Sequence, residues 1–448
     1  MTETLVDWGA ARPMPAVGKV RPLKVPTVAD RTLSNGLRAL AIRKPGVPRF
    51  EGRLVVPVAR KRDPGDPGRQ RLLAETLLSG LPDRDALAID KYLQSLGATL
   101  HVSSDAERVS VSFGGLTLNL TATLDLLGEV LSAATFPEEE VVLQRERVAQ
   151  EVVIIRSQPA TIAAEAFLKR LWGDHPYTRV LPEAEELAAL DRKAVRSFAN
   201  SRLLPRGSVL VLVGDINPDK AIGQVEASLE AWNRPGSSGE LAKPTFLPPG
   251  PLTLVDRPDA VQTNIRVGGP AVLRGHPDLP ALQVANTVFG GYFSSRLVEN
   301  IRERRGYTYG PRSAVDQNLQ AASLSVSADV ATEVTAPALM EIRYELARMA
   351  TLPVEADELQ SAKRYIQGIL ALQVQSQAGM ASYLANVVSA GQPVDWLREF
   401  PAAIEKVTVA DVHEVSARYL APSRMITVMV GDRAKVAPSL ECLDSIAP

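Results

Sequence analysis

An α+β fold is predicted, with two tandem homologous domains, each a mixed and mostly antiparallel sheet with helices packed on one face. Three observations predict it. First, "SVLVLVGD" closes at Asp215 and "MITVMVGD" closes at Asp432, an offset of 217 residues at which Leu203 also meets Leu420 and Pro205 meets Pro422. A period of that length is far too long for a solenoid unit and reads as a duplicated domain. Second, alternating strands recur in the two halves, "RVSVSF" over 108–113 and "SLSVSA" over 323–328. Third, each is followed by a long amphipathic helix, "LTATLDLLGEVLSAA" from Leu120 and "APALMEIRYELARMA" from Ala336. Strands, then helices, then a closing strand is the order of an α+β sandwich.

Taken along the chain, residues 1–27 are rich in proline and read as an extended arm. Residues 28–232 form the first domain and 252–448 the second, whose regular part ends near 435. Between them, "NRPGSSGELAKPTFLPPGP" over 233–251 has the Pro, Gly and Ser content of an interdomain linker. Late helices start alike in both halves, at "LDRKAVRSF" and "VTVADVHEV", where Asp191 and Thr408 stand ready to cap the first turn.

Composition narrows the function. The chain has 448 residues, 45% hydrophobic and 23% charged, with 50 Lys plus Arg against 51 Asp plus Glu. A formal charge of −1 gives no support for nucleic acid or an anionic membrane as the main partner. Cys442 is the only cysteine, which excludes an intrachain disulfide and a cysteine-rich metal site. No run approaches the roughly 18 apolar residues of a membrane span. The opening lacks a basic segment followed by an apolar one, so no signal peptide is read. A cytoplasmic location is expected, with the periplasm as the alternative if the chain has been trimmed.

The stretch "RLLAETLLSG" over 71–80 is helical in pattern, with Glu75 on it. Leu72 and Thr76 stand around Glu75 where an H-x-x-E-H motif has its histidines. Glu151, in "RERVAQEVVIIRSQP", follows Thr76 by 75 residues. In the second half, "FGGYFSSRLVENIRERRGYTYG" over 289–310 places Arg302 and Tyr309 seven residues apart, flanked by Gly290, Gly291, Gly306 and Gly310 and preceded by a helix beginning at "LPALQVANTVF". Arg296, Arg304 and Arg305 read as an ordinary solvated face.

Together these features resemble the insulinase/pitrilysin-like family of zinc peptidases, over roughly residues 28–435. The resemblance implies that Glu75 matches the family's acid/base, that Glu151 matches its third zinc ligand, and that both histidine positions have changed, to Leu72 and Thr76. A catalytic zinc site needs three protein ligands and an open position. Leu72 offers no donor, Thr76 is a poor neutral one, and His101, His175, His276 and His413 stand apart from one another. No metal is therefore expected on this chain. Glu75 then reads as a helix-surface or ion-paired carboxylate, and His175 in "DHPY" as a capping or turn residue. Arg302 and Tyr309 match the family's pair that reaches substrate in the zinc site, where guanidinium and phenol stabilise charge developing on a carbonyl oxygen.

By that resemblance the chain looks like the non-zinc subunit of a heterodimeric metallopeptidase. Its implied partner is a homologous subunit with an intact H-x-x-E-H motif and zinc, and its ligand is a peptide. The alternatives are a structural core or assembly subunit and a peptide-binding clamp, both without proteolysis.

Overall fold

The computed structural model describes residues 26–59, 67–237 and 239–447. The arm expected over 1–27 lies outside the described residues apart from Pro26 and Thr27. Among the described residues, eleven strands form two sheets. The first holds β1 (Val28–Thr32), β2 (Arg38–Arg43), β3 (Arg49–Pro57), β4 (Thr99–Ser104), β5 (Arg108–Leu116) and β6 (Val209–Gly214) in the order β1-β2-β6-β3-β5-β4. The second holds β7 (Thr253–Asp256), β8 (Gln262–Ala271), β9 (Arg312–Gln317), β10 (Ala322–Ala331) and β11 (Ile426–Gly431) in the order β7-β11-β8-β10-β9. Apart from β1, the two orders are the same. In each sheet one parallel pair, β2 with β6 and β7 with β11, joins an otherwise antiparallel array.

Asp215 and Asp432 follow β6 and β11, strands in equivalent places. The glycine before each sits where any side chain would strike the neighbouring antiparallel strand. A Cβ on Gly214 would lie 2.6 Å from the Arg49 carbonyl oxygen, and one on Gly431 would lie 2.7 Å from Thr263 Oγ1. The anticipated helices are Leu120–Ala133 and Thr335–Thr351. Their apolar faces, including Leu124, Leu127 and Leu131 in one and Leu339, Ile342 and Leu346 in the other, belong to the two largest cores. The capping residues act as anticipated: Asp191 Oδ1 accepts from the Ala194 amide at 2.7 Å, and Thr408 Oγ1 from the Asp411 amide at 3.2 Å.

The two central strands explain their own sequences. "VLVLVG" and "ITVMVG" are apolar without alternation, and every residue in both is buried. A strand reads this way when both faces of its sheet are covered. One face meets the helices of its own half. The other meets a helix lent by the opposite half. Helix Gln377–Ser389 lays Met380, Ala381, Leu384 and Val388 on Leu40, Ile42, Val55, Val211 and Val213 of the first sheet. Helix Pro159–Trp172 lays Phe167, Leu171 and Trp172 against Ile426 and Val428 of the second. Gly268 in β8 leaves room for this, because a Cβ there would come within 2.7 Å of the Phe167 ring. The linker stretch is pinned by the same cluster: Leu241 is buried, and the Phe246 ring lies 4.4 Å from that of Trp172. Among the described residues, no helix is long and apolar enough to cross a membrane.

Candidate functional site

Leu72, Glu75 and Thr76 lie on helix Pro67–Thr76. Leu72 and Thr76 are both fully buried, Leu72 within the first core. The Thr76 hydroxyl donates to the Leu72 carbonyl at 2.6 Å, the usual way a helical threonine satisfies itself when buried. Glu75 is one turn on from Arg71. Arg71 Nε lies 2.9 Å from Glu75 Oε1, and Arg71 Nη2 donates to Glu151 Oε2 at 3.1 Å. The contact with Glu75 is an ion pair whose N–H does not point along a hydrogen bond, since Nε finds no bonded partner. Glu151 comes from helix Glu138–Arg156, which packs beside the first helix.

A guanidinium therefore stands between the two acids that the family resemblance assigns to the metal site. These residues do not fit zinc. Leu72 has no donor atom, the Thr76 hydroxyl is turned to the helix backbone, and both carboxylates hold Arg71. Among the described residues, no group of three or more His, Cys, Asp and Glu is placed to bind a metal ion. His175 caps a short 3-10 turn, its Nδ1 accepting from the Tyr177 amide at 3.3 Å. Arg71 was open to sequence reasoning only as one half of an i, i+4 pair with Glu75.

Arg71 and Glu151 face a cavity of about 730 Å³ between the two halves. Its other wall comes from the second sheet: Arg266 of β8, Arg312, Ala314 and Asp316 of β9, and Ser323, Ser325 and Ser327 of β10. The alternation anticipated in "SLSVSA" places these serines on the cavity face and Leu324, Val326 and Ala328 in the core. Tyr177 and Asp105 close the end nearest the loop before β5. Glu107, beside them, is buried. Burial pushes its carboxyl above the usual range, against the pull of a Tyr177 hydroxyl and a Leu319 amide that both donate to it.

Arg302 and Tyr309 lie outside that cavity's wall. The segment bearing Arg302 is π-helical over Glu299–Arg304, and a second π-helical stretch, Thr287–Gly291, precedes it. Such wide turns recur at functional sites. The Arg302 guanidinium is held between two rings, 4.7 Å from the Phe293 centroid and 4.5 Å from that of Tyr309, and pairs with Glu303 at 3.2 Å. Tyr309 is 84% exposed, and its hydroxyl bonds to none of the described residues. The three other arginines divide. Arg304 pairs with Glu299 and Arg305 with Glu341 at the surface. Arg296, read from sequence as solvated, is instead 8% exposed and forks onto both Glu358 oxygens at 2.6 Å. It opens the segment at the point where that segment docks on helix Ala356–Gln373.

Both halves of the chain are matched by known family models. The model described as Insulinase (Peptidase family M16) matches residues 58–184, and the one described as Peptidase M16 inactive domain matches residues 189–366. The chain belongs to the insulinase (M16) family. Its M16 relatives include an uncharacterized zinc protease of Mycobacterium tuberculosis, 28% identical over 89% of this chain and 92% of that one. Another, of Streptomyces coelicolor, is 24% identical over 94% and 93%. Solved structures share the fold. A peptidase M16 inactive domain from Pseudomonas fluorescens superposes with a TM-score of 0.83 at 22% identity, covering 90% of this chain and 98% of that one. A protease from Helicobacter pylori gives 0.84 at 17%, covering 91% and 100%. Within the first M16 match lie Leu72, Glu75, Thr76 and Glu151, and within the second lie Arg302 and Tyr309.

Proposed function

We propose that this chain is the zinc-lacking subunit of a heterodimeric metallopeptidase, and that it presents Arg302 and Tyr309 to a peptide at the zinc site of a homologous partner carrying an intact H-x-x-E-H motif. Peptide hydrolysis builds negative charge on the scissile carbonyl oxygen. A phenol and a guanidinium aimed at that oxygen lower the barrier, because both are donors already in place before charge develops. The observation that carries the reading is the state of Tyr309. An aromatic residue 84% exposed, with an unbonded hydroxyl and an arginine stacked on its ring, contributes little to this chain's own packing. Arg71 supports the same division of labour, since it stands where this subunit would need an ion. The zinc belongs to the partner. The alternative roles, a structural or assembly subunit and a peptide clamp, give Tyr309 no task at a partner's site.

The test is reconstitution. The chain is purified from its source cell with whatever homologue accompanies it, and peptide hydrolysis is followed in single turnovers. Tyr309→Phe removes only the hydroxyl, and Arg302→Lys keeps the charge but loses the fork. Loss of one donor to the developing charge is expected to cost about 2.7–4 kcal/mol, or roughly a hundred- to thousandfold in rate. Association and thermal stability should stay as in the wild type. Full turnover in both variants would show the pair to be structural and would leave the assembly role in front.

A further inference from the structure

The second-sheet wall of the cavity carries a charge that no carboxylate among the described residues pairs with. Strand register sets Ser327 of β10 directly between Arg312 of β9 and Arg266 of β8. All three line the cavity. Arg312 Nε donates to Ser327 Oγ at 3.1 Å, and no described carboxylate pairs with Arg312. The other charged groups on these walls have partners. Glu151 holds Arg71, Asp105 holds Arg108, Arg179 holds Glu186, and Asp329 takes Arg266 Nη1 at 3.2 Å. Asp316 accepts from Ser325 Oγ at 2.7 Å and stands four residues along β9 from Arg312, about 13 Å away on an extended strand. The remaining Arg312 nitrogens are thus open to the cavity. Ser327 Oγ, having accepted from Arg312, keeps its own proton to donate.

We propose that the row Arg312–Ser327–Arg266 is a carboxylate-binding subsite for a peptide lying between the two halves; that the ligand is a peptide rests on the family reading above. A carboxylate placed over Ser327 takes two nearly parallel N–H bonds from the Arg312 fork and one O–H bond from the serine, the geometry for which arginine is suited. Arg266, with a side chain only 12% exposed and paired with Asp329, borders Ser327 on its other side. The carboxylate comes either from an acidic side chain or from a free C-terminus, and both present the same two oxygens.

The probes are four ten-residue peptides of alanine, serine and glycine, each labelled with an uncharged fluorophore. They carry a central Glu or a central Gln, each with a free or an amidated C-terminus, and binding to the intact chain is followed by anisotropy at low salt. The wild type is expected to favour at least one of the three carboxylate-bearing forms over the Gln amide, and Arg312→Gln to reduce that preference by about tenfold or more. A preference that follows the central Glu assigns the side chain, and one that follows the free end assigns the C-terminus. Arg312 is exposed on an edge strand, so the variant is expected to fold, and Ser327→Ala should weaken the same preference without removing charge. Equal binding of all four peptides, no binding of any, or an unaltered preference in Arg312→Gln would overturn the proposal. The binding is measured on this chain alone, with no partner and no zinc present, which separates this result from the role at a partner's zinc.

Discussion

Arg71 supplies in this chain the positive charge that balances Glu75 and Glu151. That fixes what it takes to rebuild a metal site. Leu72→His with Thr76→His restores two imidazoles on the helix, but the guanidinium still occupies the carboxylates. Zinc binding by this double variant is expected to be weak. Adding Arg71→Ala frees Glu151 to act as third ligand, and titration calorimetry should then show zinc bound at least about tenfold tighter, the effect of removing one competing charge-assisted bond. Equal affinity in the double and triple variants would mean that Arg71 does not guard the site. Thermal unfolding must be checked first, because an imidazole at Leu72 replaces a fully buried leucine and should cost about 2 kcal/mol or more. The spacing of Leu72, Glu75, Thr76 and Glu151 is legible in the sequence. Arg71 is not, because its second partner comes from a helix some eighty residues away, and only the packing of the two helices brings Glu151 to it.

The elements divide in the same manner. Strands β5 and β10 and the two long helices show their periods openly, and each cap can be found by its residue type. The π-helical turns over Thr287–Gly291 and Glu299–Arg304 cannot, since five or six residues of widened winding leave no repeat to count. Arg296 shows why this matters. Charge-rich "ENIRERR" suggests a solvated face, but the first turn of that segment is pressed onto helix Ala356–Gln373. There Glu358 has two tasks: it takes the Arg296 fork and also accepts from the Glu355 amide at 2.8 Å, completing that helix's capping box. Arg296→Met keeps much of the apolar stem and removes the charge. It is expected to destabilise the chain by about 2–3 kcal/mol, the scale of a lost hydrogen-bonded charge pair in a mostly buried setting. Denaturant unfolding measures it. The double variant with Glu358→Gln should recover part of that loss, because the acid is then no longer left without its cation. No loss in Arg296→Met would show that the segment holds its position by apolar packing alone.

In the whole molecule the two halves are held together by exchange: each lends a helix to the back of the other's sheet. Unbroken apolar runs in β6 and β11 show that both sheet faces are covered, but an amphipathic pattern says only that a helix has an apolar face, not which sheet it meets. A polar clasp adds to the exchange at the closed end of the cavity. Glu107 of the first half accepts from the Leu319 amide of the second at 3.0 Å, and the Tyr177 hydroxyl, which itself donates to Glu107, accepts from the Gln320 amide at 3.0 Å. Tyr177 stays protonated throughout, because burial and the neighbouring carboxyl hold its phenol well above the usual value. Glu107 is the group that titrates. Burial raises its carboxyl above the ordinary glutamate range, so the folded chain keeps this proton at pH values where the unfolded chain has released it. Within that window the native state binds more protons, and stability falls as pH rises. The contribution is fully present below the unfolded value, near 4.3, and lost once the pH exceeds the folded one. Glu107→Gln keeps the shape and an oxygen for Tyr177 but cannot ionise. It is expected to lose about 1 kcal/mol or more for the bond to Leu319, whose N–H then faces an amide nitrogen that cannot accept it, and to show a smaller decline of the urea midpoint on going from pH 4 upward than the wild type. Amide exchange at Leu319 and Gln320 reports the same event locally: in the variant, its protection should no longer follow the titration of position 107. If the midpoint changes with pH equally in both proteins, the clasp does not couple the halves to this proton, and the helix exchange alone accounts for their union.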